Sequence, residues 1–274
     1  MQELEALIAK FPREARLGGV PTTVSKIRAY VNFRASRREI YKDNSALKRL
    51  GDDYCWVIIF YLLRSGHVQE AVEYVESNKA AFQSISRNFI GYLSHYAKSD
   101  DRRLPRDYQV RIDNEYSAWI RGTAEDSTDP YRIACYKIIG RCDLGRRHLE
   151  QIDQGVEDWM WLQFTLAREV DRANESAREV FGLDEVRAVI REIGQRHFGK
   201  GQTDMPGGYG TFFFLQVLGG LFEEAIAYLY AYSYVSAVHF AIALAFYGLL
   251  RVSSSLVSDT ELRKWLYCSG LGIV

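Results

Sequence analysis

One pattern in this chain occurs twice and restricts its fold more than any other feature. The run Phe60-Tyr-Leu-Leu63, then Gly66, then Val68-x-Glu70-Ala71-Val72-x-Tyr74-Val75 returns with the same spacing as Phe214-Leu-Gln-Val217, Gly220 and Phe222-x-Glu224-Ala225-Ile226-x-Tyr228-Leu229. Each copy predicts a helix, a glycine turn at Gly66 or Gly220, and a second helix. Val68, Ala71, Val72 and Val75 stand at i, i+3, i+4 and i+7, as do Phe222, Ala225, Ile226 and Leu229, which gives each second helix one apolar stripe. A stripe of that width needs more cover than one hairpin supplies. Stacked antiparallel helical hairpins supply it, so the pattern predicts an elongated α-solenoid of the kind that holds other macromolecules.

The rest of the chain supports an all-α fold. Hydrophobic residues make up 47% and charged residues 26%, which excludes a disordered chain, and only five prolines interrupt it. No stretch alternates apolar and polar residues long enough for a hairpin sheet. Helix starts are visible at Thr22 or Thr23, at Asp52-Asp53 ahead of Trp56, and at Asp129-Pro130, where a capping carboxylate precedes proline at the first helical position. Further helices are predicted over 68–78, 82–98, 106–121, 156–170 and 183–198. The apolar run Val235–Leu250 is too short to span a bilayer and holds His239, so it reads as a fully buried central helix with His239 a hydrogen-bonded core residue. The glycine-rich stretch 199–208 reads as an internal loop, because the repeat resumes after it, and residues 1–274 read as one solenoid segment. Leu4, Leu7, Ile8 and Phe11 predict a first helix, and Leu262, Trp265 and Leu266 a last one. The closing apolar Leu271-Gly-Ile-Val274 suggests a piece cut from a longer chain.

Charge cancels overall but not locally. Between Arg13 and Arg49 ten basic residues face three acidic ones, and between Glu150 and Glu185 the numbers are reversed. Such blocks read first as solvated helix faces. The basic segment 13–49, with Tyr30, Phe33 and Tyr41 interleaved, could meet a nucleic-acid backbone, yet it contains no recognised reading module, and direct nucleic-acid binding is disfavoured.

Catalytic chemistry finds little support. Cys55, Cys135, Cys142 and Cys268 lack metal-ligand spacing and read as reduced thiols, with Cys135 and Cys142 sharing one helix face. The string Gly194-Gln-Arg-His-Phe-Gly199-Lys200-Gly201 falls short of a phosphate-binding loop, because Gly201 stands where a hydroxyl is needed and no strand precedes it. The five histidines are scattered. Glu70 and Glu224 occupy equivalent first-turn positions, where a carboxylate meets the positive end of the helix dipole; a general acid–base pair would have no reason to recur with the repeat. A non-enzyme without cofactors is the reading, with a helical enzyme of dispersed residues as the competitor that a deep pocket joining a histidine to a carboxylate or thiol would reveal.

The stretch Thr128-Asp129-Pro130-Tyr131-Arg-Ile-Ala-Cys-Tyr136-Lys-Ile138-Ile139-Gly140-Arg141-Cys142-Asp143 resembles a signature of the nucleoporin-interacting component family, the large helical scaffold nucleoporins of the nuclear pore inner ring. Trp56-Val-Ile-Ile-Phe-Tyr-Leu-Leu-Arg-Ser-Gly66, Lys98-Ser-Asp-Asp-Arg-Arg-Leu104, Glu157-Asp-Trp-Met-Trp161-Leu162, His197-Phe198 and Phe214-Leu-Gln-Val-Leu218 are similar to the same family in the same order. The resemblance implies an α-solenoid related to vesicle-coat proteins, located at the nuclear envelope in the nuclear pore complex, that bridges other nucleoporins and supports nucleocytoplasmic transport. It also implies a groove for a segment of a linker nucleoporin, with any membrane contact indirect, and a parent protein with helices before and after this segment. A vesicle-coat-like or membrane-associated adaptor on the same stack is the alternative. Partner-contacting residues are not marked by any compact motif.

Overall fold

The computed structural model describes residues 22–41, 46–122, 129–149, 155–169, 180–197 and 208–250, together with Ala6, Lys10 and Ile152. The predicted first and last helices, Cys268 and most of the 199–208 stretch lie outside the described residues. The chain divides into two compact units, one over Met1–Arg168 with Ser176–Glu179, the other over Glu169–Glu175 and Val180–Val274.

The first unit holds α1 (Thr23–Ser36), a short antiparallel ladder of β1 (Arg49–Leu50) and β2 (Asp53–Tyr54), then α2 (Cys55–Arg64), α3 (Val68–Ser77), α4 (Lys79–Ile85), α5 (Phe89–Lys98), α6 (Arg106–Gly122), α7 (Pro130–Gly140) and α8 (Val156–Leu166). Thr22 caps α1 by accepting from the Ser25 N–H at 3.1 Å. Helix α2 is the centre of the unit. Cys55, Trp56, Val57, Ile58, Ile59 and Leu62 have no exposed surface, and α1, α3 and α7 all pack on it. Burial all round explains why α2 is apolar on every face rather than striped. Around Trp56 the rings of Phe82 and Phe89 stand edge-on, at 5.7 and 4.7 Å between centroids.

Three local expectations are corrected here. Asp52 and Asp53 do not cap α2: Tyr54 precedes the helix without a side-chain cap, and Asp53 accepts two hydrogen bonds from Arg28 at 2.7 and 2.9 Å. The bidentate pair with a guanidinium across the unit outcompetes a local cap and leaves room for the small β-ladder, closed by Gly51 at φ +58°. The helix predicted over 82–98 is broken at Ser86, which leaves the helical region at φ −159°, ψ 83° and whose buried hydroxyl meets the Tyr136 hydroxyl. Cys142 does not share a helix with Cys135, because α7 ends at Gly140 and Arg141 turns left-handed at φ +50°. A Cβ on Gly140 would come within 2.7 Å of Cys142 Sγ and 2.9 Å of the Ile112 side chain, so glycine is what lets the chain close over α6 there.

The second unit holds α9 (Leu183–His197), α10 (Gly208–Leu218), α11 (Phe222–Tyr230) and α12 (Tyr234–Phe246), each packed on the next. Gly194, singled out above in a phosphate-loop-like string, sits inside α9, and a Cβ there would overlap the Phe212 ring of α10. Gly194 is a packing residue. Gly194→Ala is expected to destabilise the second unit by about 1–3 kcal/mol through overpacking, read as a lowered urea midpoint at unchanged m-value.

Helix α12 departs from the expectation of a fully buried central helix. Only Ala237 and Leu244 are buried, while Ile242 is 62% and Phe246 82% exposed. His239 is exposed as well, not a core histidine. Among the described helices α11 is the principal neighbour of α12, and Val235, Ile242, Phe246 and Leu249 are exposed.

The repeat signal reappears as one turn geometry. Gly66 (φ +82°) and Gly220 (φ +68°) follow α2 and α10. In each, the next residue's N–H reaches back to a helix carbonyl, His67 to Leu62 at 2.8 Å and Leu221 to Gln216 at 2.9 Å, while the glycine N–H bonds Leu63 or Val217. That is the paired bonding of a Schellman turn, which needs a left-handed residue. A third copy, unread in the sequence, ends α12: Gly248 has φ +66°, and Leu249 N–H donates to the Leu244 carbonyl at 2.9 Å.

Candidate partner-binding cavities

The residues singled out for turns and caps hold separate positions along the fold. Gly66 and Gly220 form the turns just described. Glu70 lies in the first turn of α3, 3.2 Å from His67 Nδ1, and Glu224 in the first turn of α11, where Arg191 of α9 clasps it with three contacts of 2.7–3.2 Å. The two carboxylates therefore serve different neighbours. Sequence reasoning had no signal for Arg191, because the pair spans α9 and α11 rather than one helical turn.

Asp129 is buried and accepts three backbone hydrogen bonds. It accepts from the Tyr131 and Arg132 N–H groups at 2.9 and 3.4 Å, capping α7, while Pro130 takes the first helical position. Its second oxygen accepts the Lys48 N–H at 2.8 Å, which ties α7 to the strand β1 region. Burial pushes the Asp129 carboxyl up to about 6, against the pull of those N–H donors.

Among the described residues, two cavities of the first unit bear on partner binding. One, of about 350 Å³, lies where the Gly66 turn meets α5, α7 and α8. Val68, Ile138, Trp161 and Phe164 give it apolar walls, and Arg102 and Arg141 stand at its margin. Both guanidinium groups are fixed: Arg102 donates to the carbonyls of Tyr96 and Ala97, and Arg141 to that of Leu166. Trp161 is held by Arg64, stacked 4.8 Å from its ring and bonded to Asp158 at 2.8 Å. Such a cavity accepts an apolar side chain and offers positive charge beside it.

The other cavity, of about 540 Å³, is bounded by β1, Trp56 of α2, Ile85 of α4, Trp119 of α6, and Asp129 and Arg132 of α7. The Arg132 guanidinium carbon lies 3.9 Å from the Trp119 ring centroid, and Arg132 donates to the Ile85 carbonyl at 3.2 Å.

Where the basic segment 13–49 is described, Arg37, Arg38, Lys48 and Arg49 are exposed and Lys26, Arg28 and Arg34 half-buried. Arg28 is paired with Asp53, Arg34 bonds the hydroxyls of Tyr30 and Tyr61, Arg37 covers Phe33 and Arg49 covers Tyr54. Cys55, Cys135 and Cys142 are buried and unoxidised, and burial holds all three thiols well above their ordinary range. Among the described residues no group of three or more His, Cys, Asp or Glu is placed to hold a metal ion, and no helix is long and apolar enough to cross a membrane.

The sequence profile of the family described as Nup93/Nic96 matches residues 1–268. The chain belongs to the Nup93/Nic96 family. It is 53% identical to Nucleoporin NIC96 of Chaetomium thermophilum over 95% of this chain and 24% of that protein. It is 33% identical to Nucleoporin NIC96 of Saccharomyces cerevisiae over 86% of this chain and 27% of that one. The crystal structure of Chaetomium thermophilum Nic96 SOL matches with a TM-score of 0.86 at 55% identity, covering 91% of this chain and 35% of that one. The all-α reading and the Nup93/Nic96 resemblance both stand, and the fold is that of the Nic96 helical solenoid. The chain spans about a quarter of the length of the curated relatives it matches.

Proposed function

We propose that this chain is a segment of a nuclear pore scaffold, a non-enzymatic solenoid at the nuclear envelope that bridges other nucleoporins and so supports nucleocytoplasmic transport. The nucleoporin names of its relatives support the setting. The observation that carries the reading is the cavity beside the Gly66 turn, with Val68, Trp161 and Phe164 as walls and arginines at its margin. It fits an apolar anchor of a linker nucleoporin segment with an acidic residue next to it, since aromatic pockets of this kind concentrate binding energy.

Pull-down and calorimetry with purified linker nucleoporin fragments test the reading. One fragment is expected to bind saturably, and Phe164→Glu to weaken it by about 2 kcal/mol, more than tenfold. Absence of saturable binding by every fragment, or an unchanged affinity in the variant, would remove this groove from the account.

A further inference from the structure

The cavity beside the Gly66 turn carries more charge than an apolar anchor uses. Three arginines, Arg102, Arg141 and Arg168, line it against one carboxylate, Asp101. The three are not equally available. A guanidinium grips a carboxylate best along an edge of two N–H groups, which gives two parallel hydrogen bonds. Arg141 commits its Nε to the Leu166 carbonyl at 2.8 Å, and Arg168 Nε is buried. Arg102 is exposed, and its Nη1 donates to the Tyr96 and Ala97 carbonyls at 3.1 and 3.0 Å, while Nε and Nη2 meet no acceptor among the described residues.

Asp101 does not occupy that edge. One of its oxygens accepts from the Ser99 hydroxyl at 2.7 Å and the Arg103 N–H at 3.1 Å, and the other pairs with Arg103 Nε at 2.6 Å. The same turn sets Arg102 in place. Its N–H bonds the Ser99 carbonyl at 3.2 Å, and its backbone is left-handed at φ +59°, a conformation that costs energy in a residue with a side chain. With the backbone held by the turn and Nη1 held by two carbonyls, the guanidinium is ordered before a ligand arrives, which lowers the cost of binding one. Two pairs inside this chain show what such an edge takes. Arg28 grips Asp53 through Nε and Nη2 at 2.7 and 2.9 Å, and Arg191 grips Glu224 through the same two nitrogens at 3.0 and 2.7 Å.

From this geometry we infer that Arg102 is the residue that selects the partner segment: its Nε and Nη2 take the carboxylate of an aspartate or glutamate adjoining the apolar side chain held by Val68, Trp161 and Phe164. The inference rests on the use of this cavity proposed above. It adds which of the three arginines reads the charge.

The probe is a phage-displayed library of random peptides panned on the immobilised chain, keeping only those that Phe164→Glu fails to bind. The retained peptides are expected to share an apolar residue with an adjoining Asp or Glu. The tightest is then synthesised in its acid form and in the matching Asn or Gln form, and the exchange should weaken binding to the wild type at least about tenfold. Arg102→Lys keeps the charge and the backbone torsion but loses the paired edge, so the same exchange should there cost no more than about threefold. Such non-additivity reports a direct contact, which a merely structural arginine would not produce. Arg141→Lys is expected to leave the acid preference of the wild type in place. Retained peptides without a shared acid, an acid preference that survives Arg102→Lys, or one that is lost in Arg141→Lys instead would each overturn the assignment and leave the cavity reading standing. A library yielding no peptide sensitive to Phe164→Glu would overturn both.

Discussion

Trp56→Ala should cost the first unit about 3–5 kcal/mol, the range for an aromatic removed from a closed core. Trp56 is fully buried at the start of the central helix, with Phe82, Phe89 and Tyr136 around its ring. Arg132 lies beyond one face. The cavity left by truncation cannot collapse easily, because those neighbours come from α4, α5 and α7, which are pinned to one another by separate contacts. The Tyr136 hydroxyl alone bonds both Ser86 and Glu115. Urea unfolding followed by far-UV circular dichroism measures the loss. Phe246→Ala is the contrast: it removes a ring that is 82% exposed on α12 and should change stability by no more than about 0.5 kcal/mol. Equal effects in the two variants would mean that α12, not α2, is the buried helix.

The second large effect is a pH dependence centred on Asp129. Its folded carboxyl is raised by burial to about 6, above the ~3.9 of an unfolded aspartate. A group raised on folding adds stability that is fully present below its unfolded value and is lost as pH rises through the folded one. Between pH 7 and pH 4 the wild type should therefore gain up to about 3 kcal/mol relative to Asp129→Asn, which cannot titrate. Comparison with that variant cancels the other acids. The asparagine keeps one oxygen for the α7 cap, while its amide group cannot accept the Lys48 N–H. The measurement is a set of urea midpoints for both proteins at half-unit pH steps. Parallel curves would show that the three N–H donors outweigh burial and hold the carboxylate charged throughout.

What could be read from the sequence was whatever a few consecutive residues decide. A left-handed glycine, a carboxylate before proline and an i, i+3, i+4 stripe are each satisfied within a turn or two of chain, so Gly66, Gly220 and Asp129-Pro130 were visible as residues. Local expectations failed where a distant partner intervened. Asp53 had the right position for a cap but meets Arg28 instead, and Ser86 leaves the helix for a hydroxyl contact with Tyr136. Helices α2 and α12 show the same limit at larger scale. Both are apolar all round, which says that neither face prefers water, yet burial depends on how many neighbours arrive. Among the described elements, α1, α3 and α7 pack on α2, whereas α11 is the principal neighbour of α12. The two cavities were invisible for the same reason, since Trp56, Trp119 and Arg132 are brought together by α2, α6 and α7.

The glycine turn that recurs after α2, α10 and α12 is built three times from the same backbone bonds but is not equally guarded. At Gly66 and Gly248 a methyl group would meet nothing within 4 Å, so only dihedral preference resists a side chain. Asparagine, which tolerates the left-handed region, is admissible at either corner. At Gly220 the same methyl would come within 3.1 Å of Arg187 Nη2, and Arg187 also latches the preceding carbonyl of Gly219 through Nε at 2.9 Å. That corner is fastened by a guanidinium from α9, so its identity is fixed by a neighbour as well as by its own torsion angle. A chain of like joints thus carries unlike tolerances, and drift at the first and third leaves the shape of the second untouched.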